Sequence, residues 1–301
     1  MEDLTLIILS MFIGTAAQAI LPDRKYVRLP QDVGLVYKKL DVVTKDGFCI
    51  NTWFFPAQDI PADNAAQQGM IPYRTLDGTR RPTLIICNAD AGNMSYTQLS
   101  LVPLYAANGY NVVTFDWRGF GESSAFPMDP DYLCYTGMLE DYKAVINATC
   151  REKTVDRRLL YLMGWSTGAY LSMIAAHDSN KVKGCILSGT PSSFEDIIPH
   201  LVKVHPKGKT AANLLVPDDF PKEQMPAHLA PEFKKDILLI VGSKDDRTPQ
   251  WMSEKIYDAL PDGIYKRLSV YEGAGHGGRD FPFMHDWSRW ADETLEFIHK
   301  L

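Results

Sequence analysis

The stretch LLYLMGWSTGAYLSMIAA, residues Leu159 to Ala176, changes its pattern halfway along. Leu159 to Met163 is a continuous apolar run, which is typical of a strand buried on both faces of a sheet. After Ser166, small and apolar residues recur at helical spacing. The sequence GWSTG at 164–168 therefore lies where a strand turns into a helix, and it predicts a G-x-S-x-G nucleophile elbow with Ser166 at its apex.

A serine at such a turn needs a partner base, because its hydroxyl is a weak nucleophile at neutral pH. In open α/β sheets, the base and the carboxylate that holds it come from loops at the carboxyl ends of strands. His276 meets this condition, since it follows the last predicted strand in the glycine-rich sequence GAGHGG. Asp245 and Asp246 both follow the preceding strand, and either could orient His276. We prefer Asp245, because RTP at 247–249 should already turn into the next helix.

Strands and helices alternate along most of the chain, which predicts an α/β fold with a mostly parallel central sheet and helices on both faces. Two further strands, 34–43 and 48–55, flank a Lys-Asp-Gly turn and should form an antiparallel hairpin at one edge. The proline-rich stretch 191–236 interrupts the alternation. We interpret it as a small lid inserted into a single domain, 34–301; a plain solvent-facing connection is the alternative. The predicted strands are 83–87, 111–116, 159–163, 182–188, 237–242 and 265–271, and the predicted helices include 96–107, 138–148 and 283–299.

Composition excludes several classes of function. The 301 residues are 46% hydrophobic and 23% charged, which suits a globular chain with a sizeable core. The net charge is −6 and the basic residues are scattered, so nucleic acid is not an expected partner. The sequence has no glycine-rich phosphate motif and no histidine pair at zinc-ligand spacing. We therefore expect neither a metal nor an organic cofactor.

The first 19 residues carry a separate signal. Leu4 to Ile13 is apolar, and Ala17-Gln18-Ala19 resembles the cleavage site of a secretory signal peptide. The acidic start, Met-Glu-Asp, does not fit that pattern, and an uncleaved membrane anchor over Leu4 to Leu21 is an alternative. An apolar helix packed on the domain is a third. A signal peptide predicts an exported protein, either periplasmic or secreted. An anchor predicts a protein that contacts the membrane only through this segment.

Five cysteines are too few for a disulfide scaffold in a chain of this length. Cys134 and Cys150 flank a predicted helix and could pair in an exported protein.

Four motifs together resemble an α/β-hydrolase over roughly residues 34 to 300: GWSTG, FDWRGFGES at 115–123, GSKDDRTP at 242–249 and GAGHGG at 273–278. The chain is most similar to the serine hydrolases called serine aminopeptidase-like or BEM46-like. In that group H-G-N-A-G-N follows the third strand, and D-x-R-G-x-G-x-S follows the fourth. The resemblance implies a Ser166, Asp245 and His276 triad.

The chain departs from this pattern at 88–93, where it reads NADAGN. By position, the resemblance implies that the backbone amides of Asp90 and Thr167 form the oxyanion hole. A carboxylate beside a developing oxyanion would repel it, so Ala91 is an alternative donor. Otherwise Asp90 points away and recognises a cationic part of the substrate. The resemblance also implies structural roles for Asp116, Arg118 and Glu122.

These observations predict a serine hydrolase that cleaves a carboxylic ester or thioester. His276 would take the proton of Ser166 during attack on the carbonyl, and Asp245 would hold the imidazole. An aminopeptidase or amidase of the same fold is the second enzymatic prediction, since nothing in the sequence opposes protonation of an amine leaving group. A non-catalytic binding protein that has kept the fold is the third. The expected substrate is a small acyl ester, thioester or short peptide.

Overall fold

The computed structural model describes residues 20–59, 74–75, 77–204 and 214–300. Its strands are β1 Leu21–Pro22, β2 Lys38–Lys39, β3 Thr52–Phe55, β4 Gln58–Asp59, β5 Arg74–Thr75, β6 Arg81–Ile86, β7 Ala91–Gly92, β8 Asn111–Phe115, β9 Val155–Trp165, β10 Gly184–Ser188, β11 Asp236–Gly242 and β12 Lys266–Tyr271. Its α-helices are α1 Thr97–Ala107, α2 Gly137–Thr149, α3 Thr167–His177, α4 Phe194–Val204, α5 Pro226–Leu229, α6 Gln250–Ala259, α7 Pro282–His285 and α8 Trp287–His299.

Eight of the described strands form one sheet in the order β2-β3-β8-β6-β9-β10-β11-β12. From β8 to β12 all neighbours are parallel, whereas β3 pairs antiparallel with both β8 and β2. The prediction of a mostly parallel sheet with an antiparallel hairpin at one edge is confirmed, although β2 and β3 are shorter than expected. Since β9 lies between β6 and β10, the elbow that follows it stands near the middle of the sheet.

The sheet is buried on both faces because successive side chains of a strand point in opposite directions. In β9, Leu160 and Leu162 belong to one apolar cluster, while Tyr161 and Met163 belong to the other. The first cluster includes side chains from α2, α3 and α6, and the second includes side chains from α1 and α8. This is the two-sided helical cover that the continuous apolar runs predict.

The predicted helix over 283–299 is wrong as a single element. Asp286 has φ −143° and ψ 84°, which separates α7 from α8. Its carboxylate accepts a hydrogen bond from the backbone N–H of Arg289 at 3.0 Å and so caps the start of α8. The period of apolar residues continues across this break, and for that reason it does not reveal the cap.

The described part of the stretch 191–236 lies against the helix that follows the elbow. Phe194 and Phe220 pack edge-on against Tyr170 of α3, with ring centroids 5.8 and 6.3 Å apart. Residues 205–213 lie outside the described residues. The position above α3 suits a lid, and that role stays a prediction.

The signal peptide or anchor predicted for residues 1–19 also lies outside the described residues. Over the part of the chain that is described, no helix combines the length and the apolar character needed to cross a membrane.

The pairing considered for Cys134 and Cys150 does not occur, because all five cysteines are free thiols. Cys134 precedes the helix α2 and Cys150 is its C-cap. A helix of 13 residues is about 20 Å long, whereas a disulfide requires the two Cα atoms to lie within about 7 Å.

Candidate active site

The turn after β9 has the geometry of a nucleophile elbow. Ser166 has φ 52° and ψ −123°, and it is the one residue other than glycine with positive φ in the described chain. The flanking glycines are required by close approach: a Cβ on Gly164 would lie 2.4 Å from the carbonyl oxygen of Gly168. A Cβ on Gly168 would lie 1.8 Å from the carbonyl oxygen of Asn88, in the loop after β6. Each of these two positions therefore has room for glycine only.

Backbone hydrogen bonds hold this turn. The N–H of Ser166 donates to the carbonyl oxygen of Ser188, at the end of β10, over 2.9 Å. The carbonyl oxygen of Ser166 accepts from the N–H of Ala169 in the first turn of α3, also over 2.9 Å. The serine is thereby fixed between the central strand and its helix, with the positive end of the helix dipole beside it.

The hydroxyl of Ser166 lies 3.1 Å from His276 Nε2. The other ring nitrogen, Nδ1, lies 2.9 and 3.0 Å from the two carboxylate oxygens of Asp245. The side chains of His276 and Asp245 are only 10% and 2% exposed. The structure therefore brings together, in hydrogen-bonding order, the three residues that the sequence predicts as a triad.

Asp245, and not Asp246, faces the imidazole. The carboxylate of Asp245 accepts hydrogen bonds from the backbone N–H groups of Arg247 and Thr248, at 3.0 and 2.7 Å. Burial works to raise the pKa of Asp245, but His276 and the Thr248 donors outweigh it, so the pKa lies below its ordinary value. Asp246 is exposed. Asp245 is therefore held as the charged partner of His276.

The loops that carry Asp245 and His276 are joined to each other. The backbone N–H of Lys244 donates to the carbonyl oxygen of Ala274 over 2.8 Å. A Cβ on Gly242 would lie 2.2 Å from the same oxygen, so the end of β11 must be glycine for the two loops to meet. This contact lies one residue before Asp245 and two residues before His276, so it brings the two loops together beside the triad.

Two residues beside the triad are not found by sequence reasoning. The hydroxyl of Thr248 donates to Asp245 at 2.9 Å and lies 3.0 Å from His276 Nδ1. Gly189 has φ 54°, and a Cβ there would lie 3.3 Å from both the Asp245 carboxylate and the imidazole. Thr248 belongs to the quoted motif GSKDDRTP, which is the signal that points to it. Gly189 follows the strand β10 without a motif.

The loop after β6 supplies the residues that the resemblance assigns to the oxyanion hole. Thr167 is the first residue of α3, next to Ser166. The carbonyl oxygen of Asp90 accepts a hydrogen bond from the N–H of Leu21 at 2.8 Å, and its carboxylate lies within hydrogen-bonding reach of its own amide. The pKa of Asp90 is raised by burial, against the opposing effect of the nearby Arg247 and His276.

Asn88 and Asp116 form a buried polar network beneath this loop. The Asn88 side chain accepts from Gln98 and donates to Asp116 Oδ1 at 3.3 Å. The same Asp116 oxygen accepts from the N–H of Met94 at 2.7 Å, and burial raises the pKa of Asp116 to about 6. Asparagine in place of the histidine of the BEM46-like motif is therefore satisfied by neighbouring polar groups. The structural role expected of Asp116 matches these contacts.

Residues 20–29 cross the outer side of the same loop. Leu21–Pro22 pairs in parallel with Ala91–Gly92, and Ile20 is only 1% exposed. The hydroxyl of Tyr26 donates to Asp116 Oδ2 at 2.6 Å. The part of the chain between the predicted leader and the predicted domain is thus packed onto the loop that carries Asp90.

The loop FDWRGFGES is anchored by Arg118. Its guanidinium contacts the carboxylates of Asp46 and Asp141 at 2.6 and 2.8 Å. The Arg118 contact lowers the pKa of Asp46 to about 2. Glu122 is exposed and pairs with Lys39 at 2.7 Å. These contacts match the structural roles that the resemblance implies for Arg118 and Glu122.

No group of three or more histidine, cysteine or acidic residues in the described chain is arranged to hold a metal ion.

Comparison with known proteins places this site in context. A model of the prolyl oligopeptidase family matches residues 95–300. The chain is 28% identical over 241 residues to the uncharacterized protein YfhR of Escherichia coli K12, covering 79% of this chain and 73% of YfhR. It is 21% identical over 227 residues to protein bem46 of Schizosaccharomyces pombe, covering 75% of this chain and 66% of bem46.

Among solved structures, the Pyrococcus furiosus esterase Pf2001 has a TM-score of 0.72 and 15% identity to this chain, covering 95% of this chain and 99% of the esterase. The α/β-hydrolase fold and the resemblance to BEM46-like serine hydrolases are confirmed by these similarities.

Proposed function

Since the chain belongs to the prolyl oligopeptidase family and is an α/β-hydrolase of the serine hydrolase class, we propose that it cleaves a carboxylic ester or thioester through an acyl-enzyme on Ser166. The observation that carries the proposal is the unbroken hydrogen-bonded order Ser166, His276, Asp245 at the carboxyl edge of the sheet. Backbone hydrogen bonds hold Ser166 and Asp245, and the carboxylate of Asp245 holds the ring of His276, so the three groups are in place before a substrate arrives.

In the proposed reaction, Ser166 Oγ bonds to the carbonyl carbon while His276 Nε2 takes the hydroxyl proton. The charged Asp245 stabilises the imidazolium that forms. The negative charge on the carbonyl oxygen would be met by the amide of Thr167, at the start of α3, and by an amide of the loop after β6. His276 then returns the proton to the leaving alcohol or thiol. Water, activated by the same imidazole, releases the acid and restores Ser166.

The experiment that tests this proposal is labelling with a fluorophosphonate probe, read by intact mass. Ser166 should displace fluoride and gain one phosphonyl adduct. Ser166→Ala should take up no label, and His276→Ala should react far more slowly. His177→Ala removes a histidine at the far end of α3 and should label like the wild type. Folded wild-type protein that stays unlabelled would contradict an activated serine and favour a binding protein.

An aminopeptidase or amidase of the same site is the second candidate. The observation that favours it is the match of residues 95–300 to a model of the prolyl oligopeptidase family. Comparing matched esters and amides of one acyl group would separate the two activities. An amidase should retain measurable turnover on the amide, whereas an esterase should cleave the ester alone.

A further inference from the structure

Residues 20–26, which we call the strap, bind the loop after β6 through their backbone. The N–H of Leu21 donates to the carbonyl oxygen of Asp90 over 2.8 Å. Two residues further along, the N–H of Asp23 donates to the carbonyl oxygen of Gly92 over 2.9 Å. The position of the loop therefore depends on a segment that precedes the first strand of the main sheet.

The strap and the nucleophile elbow lie on opposite sides of this loop. In the sheet, β6 lies between β8 and β9. The strap is bound to the loop after β8, since the carbonyl oxygen of Asp23 accepts from the N–H of Gly121 over 2.9 Å. The elbow follows β9, and there Gly168 lies against the carbonyl of Asn88. The loop after β6 is thus held between the strap and the elbow.

This arrangement orients the peptide that joins Asp90 to Ala91. All peptide bonds of the described chain are trans, so the N–H of Ala91 points opposite to the carbonyl of Asp90. Because that carbonyl faces the strap, the N–H of Ala91 points toward the side of the elbow. Neither the ladder with the strap nor a loop carbonyl of the described residues accepts from this N–H. It is free to donate to a substrate.

The amide of Asp90, which the resemblance assigns to the oxyanion hole, is placed differently. The carboxylate of the same residue lies within hydrogen-bonding reach of it. An amide that donates to its own carboxylate is less available to an oxyanion, and the carboxylate would repel the developing charge. Ala91 is therefore the better donor.

The far end of the strap is anchored by the hydroxyl of Tyr26. This hydroxyl donates to Asp116 Oδ2 at 2.6 Å and accepts from the N–H of Glu122 at 3.1 Å. The other oxygen of Asp116 accepts from the N–H of Met94, in the loop after β6, at 2.7 Å. Tyr26 therefore joins the strap to the carboxylate that also holds the loop.

We propose that the strap is part of the active site: it holds the loop after β6 so that the N–H of Ala91 donates to the oxyanion, with Leu21 and Tyr26 as positioning residues. The inference rests on the hydrolase function given above. When Ser166 Oγ bonds to the carbonyl carbon and its proton passes to His276, the carbonyl oxygen becomes negative, and the Ala91 amide meets that charge. Leu21 and Tyr26 act through the loop, so their effect falls on the transition state and not on substrate binding.

The test removes one N–H group from the strap. Leu21→Pro deletes the donor to Asp90, and the residue before Pro22 is already restricted to the extended conformations that proline adopts. Leu21→Ala is the matched variant, because it shortens the same exposed side chain and keeps the N–H. We expect kcat for an ester to be at least about tenfold lower in Leu21→Pro than in Leu21→Ala, with KM nearly the same, since displacing an oxyanion donor acts on kcat.

A trifluoromethyl ketone provides a readout that stability alone would not change. Addition of Ser166 Oγ to its carbonyl carbon turns the carbonyl oxygen into an oxyanion, as in the reaction. The inhibition constant should rise in Leu21→Pro by about the factor by which kcat/KM falls, because both report the same stabilised charge. Urea unfolding of each variant measures the stability separately.

Two further variants decide the outcome even if Leu21→Pro does not fold. Tyr26→Phe removes only the hydroxyl at the far end of the strap, and it should lower kcat and weaken the ketone by the same factor. Ala91→Pro removes the proposed donor itself and should lower kcat by about 100-fold or more.

Equal kcat in Leu21→Pro and Leu21→Ala would overturn the inference. Wild-type kcat in Ala91→Pro would do so too, as would a Tyr26→Phe protein that is less stable but has the kcat and ketone affinity of the wild type. In each of these cases the hydrolase proposal stands. A wild type that takes up no fluorophosphonate and binds no ketone would overturn the hydrolase proposal, and this inference with it.

Discussion

At the scale of single residues, Ser166 shows how the site stores strain. Its positive φ costs about 1–3 kcal/mol for a residue with a side chain. The turn persists because Gly164 and Gly168 allow the strand, the helix and the loop after β6 to approach, and because the carbonyl of Ser188 holds the Ser166 N–H. The nucleophile is positioned by its neighbours.

The first prediction concerns the choice between two adjacent carboxylates. Asp245→Asn should lower kcat by about a thousandfold or more, because an amide cannot stabilise the imidazolium and can hold the wrong tautomer. Asp246→Asn should retain activity near that of the wild type, since Asp246 is exposed. Steady-state kinetics on one ester, with thermal unfolding of each variant, would check this. Equal losses in both variants would contradict the assignment of Asp245.

The sequence predicts the triad residues because each follows a strand within a short local motif. Ser166 and His276 lie among glycines that interrupt the apolar pattern, and close backbone contacts show why Gly164 and Gly168 are needed beside Ser166. Gly189 could not be predicted in this way. Its closeness to Asp245 and His276 arises only when three loops converge, and a single glycine after a strand carries no sign of that.

At the scale of elements, the helix α3 and the loop after β6 form a tight pair. The carbonyl of Asn88 lies against Gly168, so the first turn of the helix and the amides of the loop are held in register. Asp116 fixes the loop from below through Asn88 and Met94, and Tyr26 contacts the same carboxylate from residues 20–29.

The second prediction tests this contact. Gly168→Ala would place a Cβ 1.8 Å from the Asn88 carbonyl oxygen, so the loop must move away from the elbow. We expect kcat to fall by about 100-fold or more, the loss seen when an oxyanion donor is displaced. Overpacking should also cost about 1–3 kcal/mol in the free energy of unfolding.

Gly263→Ala is the control for that variant, because a Cβ at Gly263 meets nothing within 4 Å. Kinetics and urea unfolding of both variants provide the measurement. A Gly168→Ala enzyme with wild-type kcat would show that the loop does not take part in the reaction.

Elements with a clear period of apolar residues were predictable from the sequence, whereas elements held by contacts between residues far apart in the sequence were not. From residue 83 onward, the apolar runs and helical spacings predict every strand of the parallel sheet, because burial on two faces fixes their composition. Residues 20–29 carry no period. They are held by contacts such as that of Tyr26 with Asp116, which are 90 positions apart. The break at Asp286 was hidden because one apolar face continues through it.

At the scale of the whole molecule, Asp116 connects parts of the chain that the sheet alone does not join. Its carboxylate contacts Tyr26, Asn88 and Met94, and its backbone oxygen accepts from the Ser123 hydroxyl at 2.7 Å. The group is completely buried, and this burial raises its pKa from 3.8 to about 6. Its protonation should therefore affect the stability of the entire fold.

The sign of that effect follows from proton binding. Between about pH 4 and 6, the folded protein keeps the proton of Asp116 while the unfolded chain has released it. The contribution of Asp116 to the free energy of unfolding is complete below the pKa that this residue has in the unfolded chain. It declines as the pH rises through this window and is lost above about pH 6. A shift of about two pKa units corresponds to about 3 kcal/mol.

Asp116→Asn should remove this dependence, since an amide does not titrate in the range and can occupy the same space. The free energy of unfolding of the variant, taken relative to that of the wild type, should therefore be about 1–3 kcal/mol higher at about pH 7.5 than at about pH 4.5. Urea unfolding at the two pH values measures the difference, and the titration of Asp46 and Asp245 cancels because both are present in each protein. Asp41→Asn, which removes an exposed carboxylate, should follow the wild type. If Asp116→Asn also follows the wild type, then the hydrogen bonds from Tyr26, Asn88 and Met94 outweigh burial, and Asp116 joins the loops as a permanently charged group.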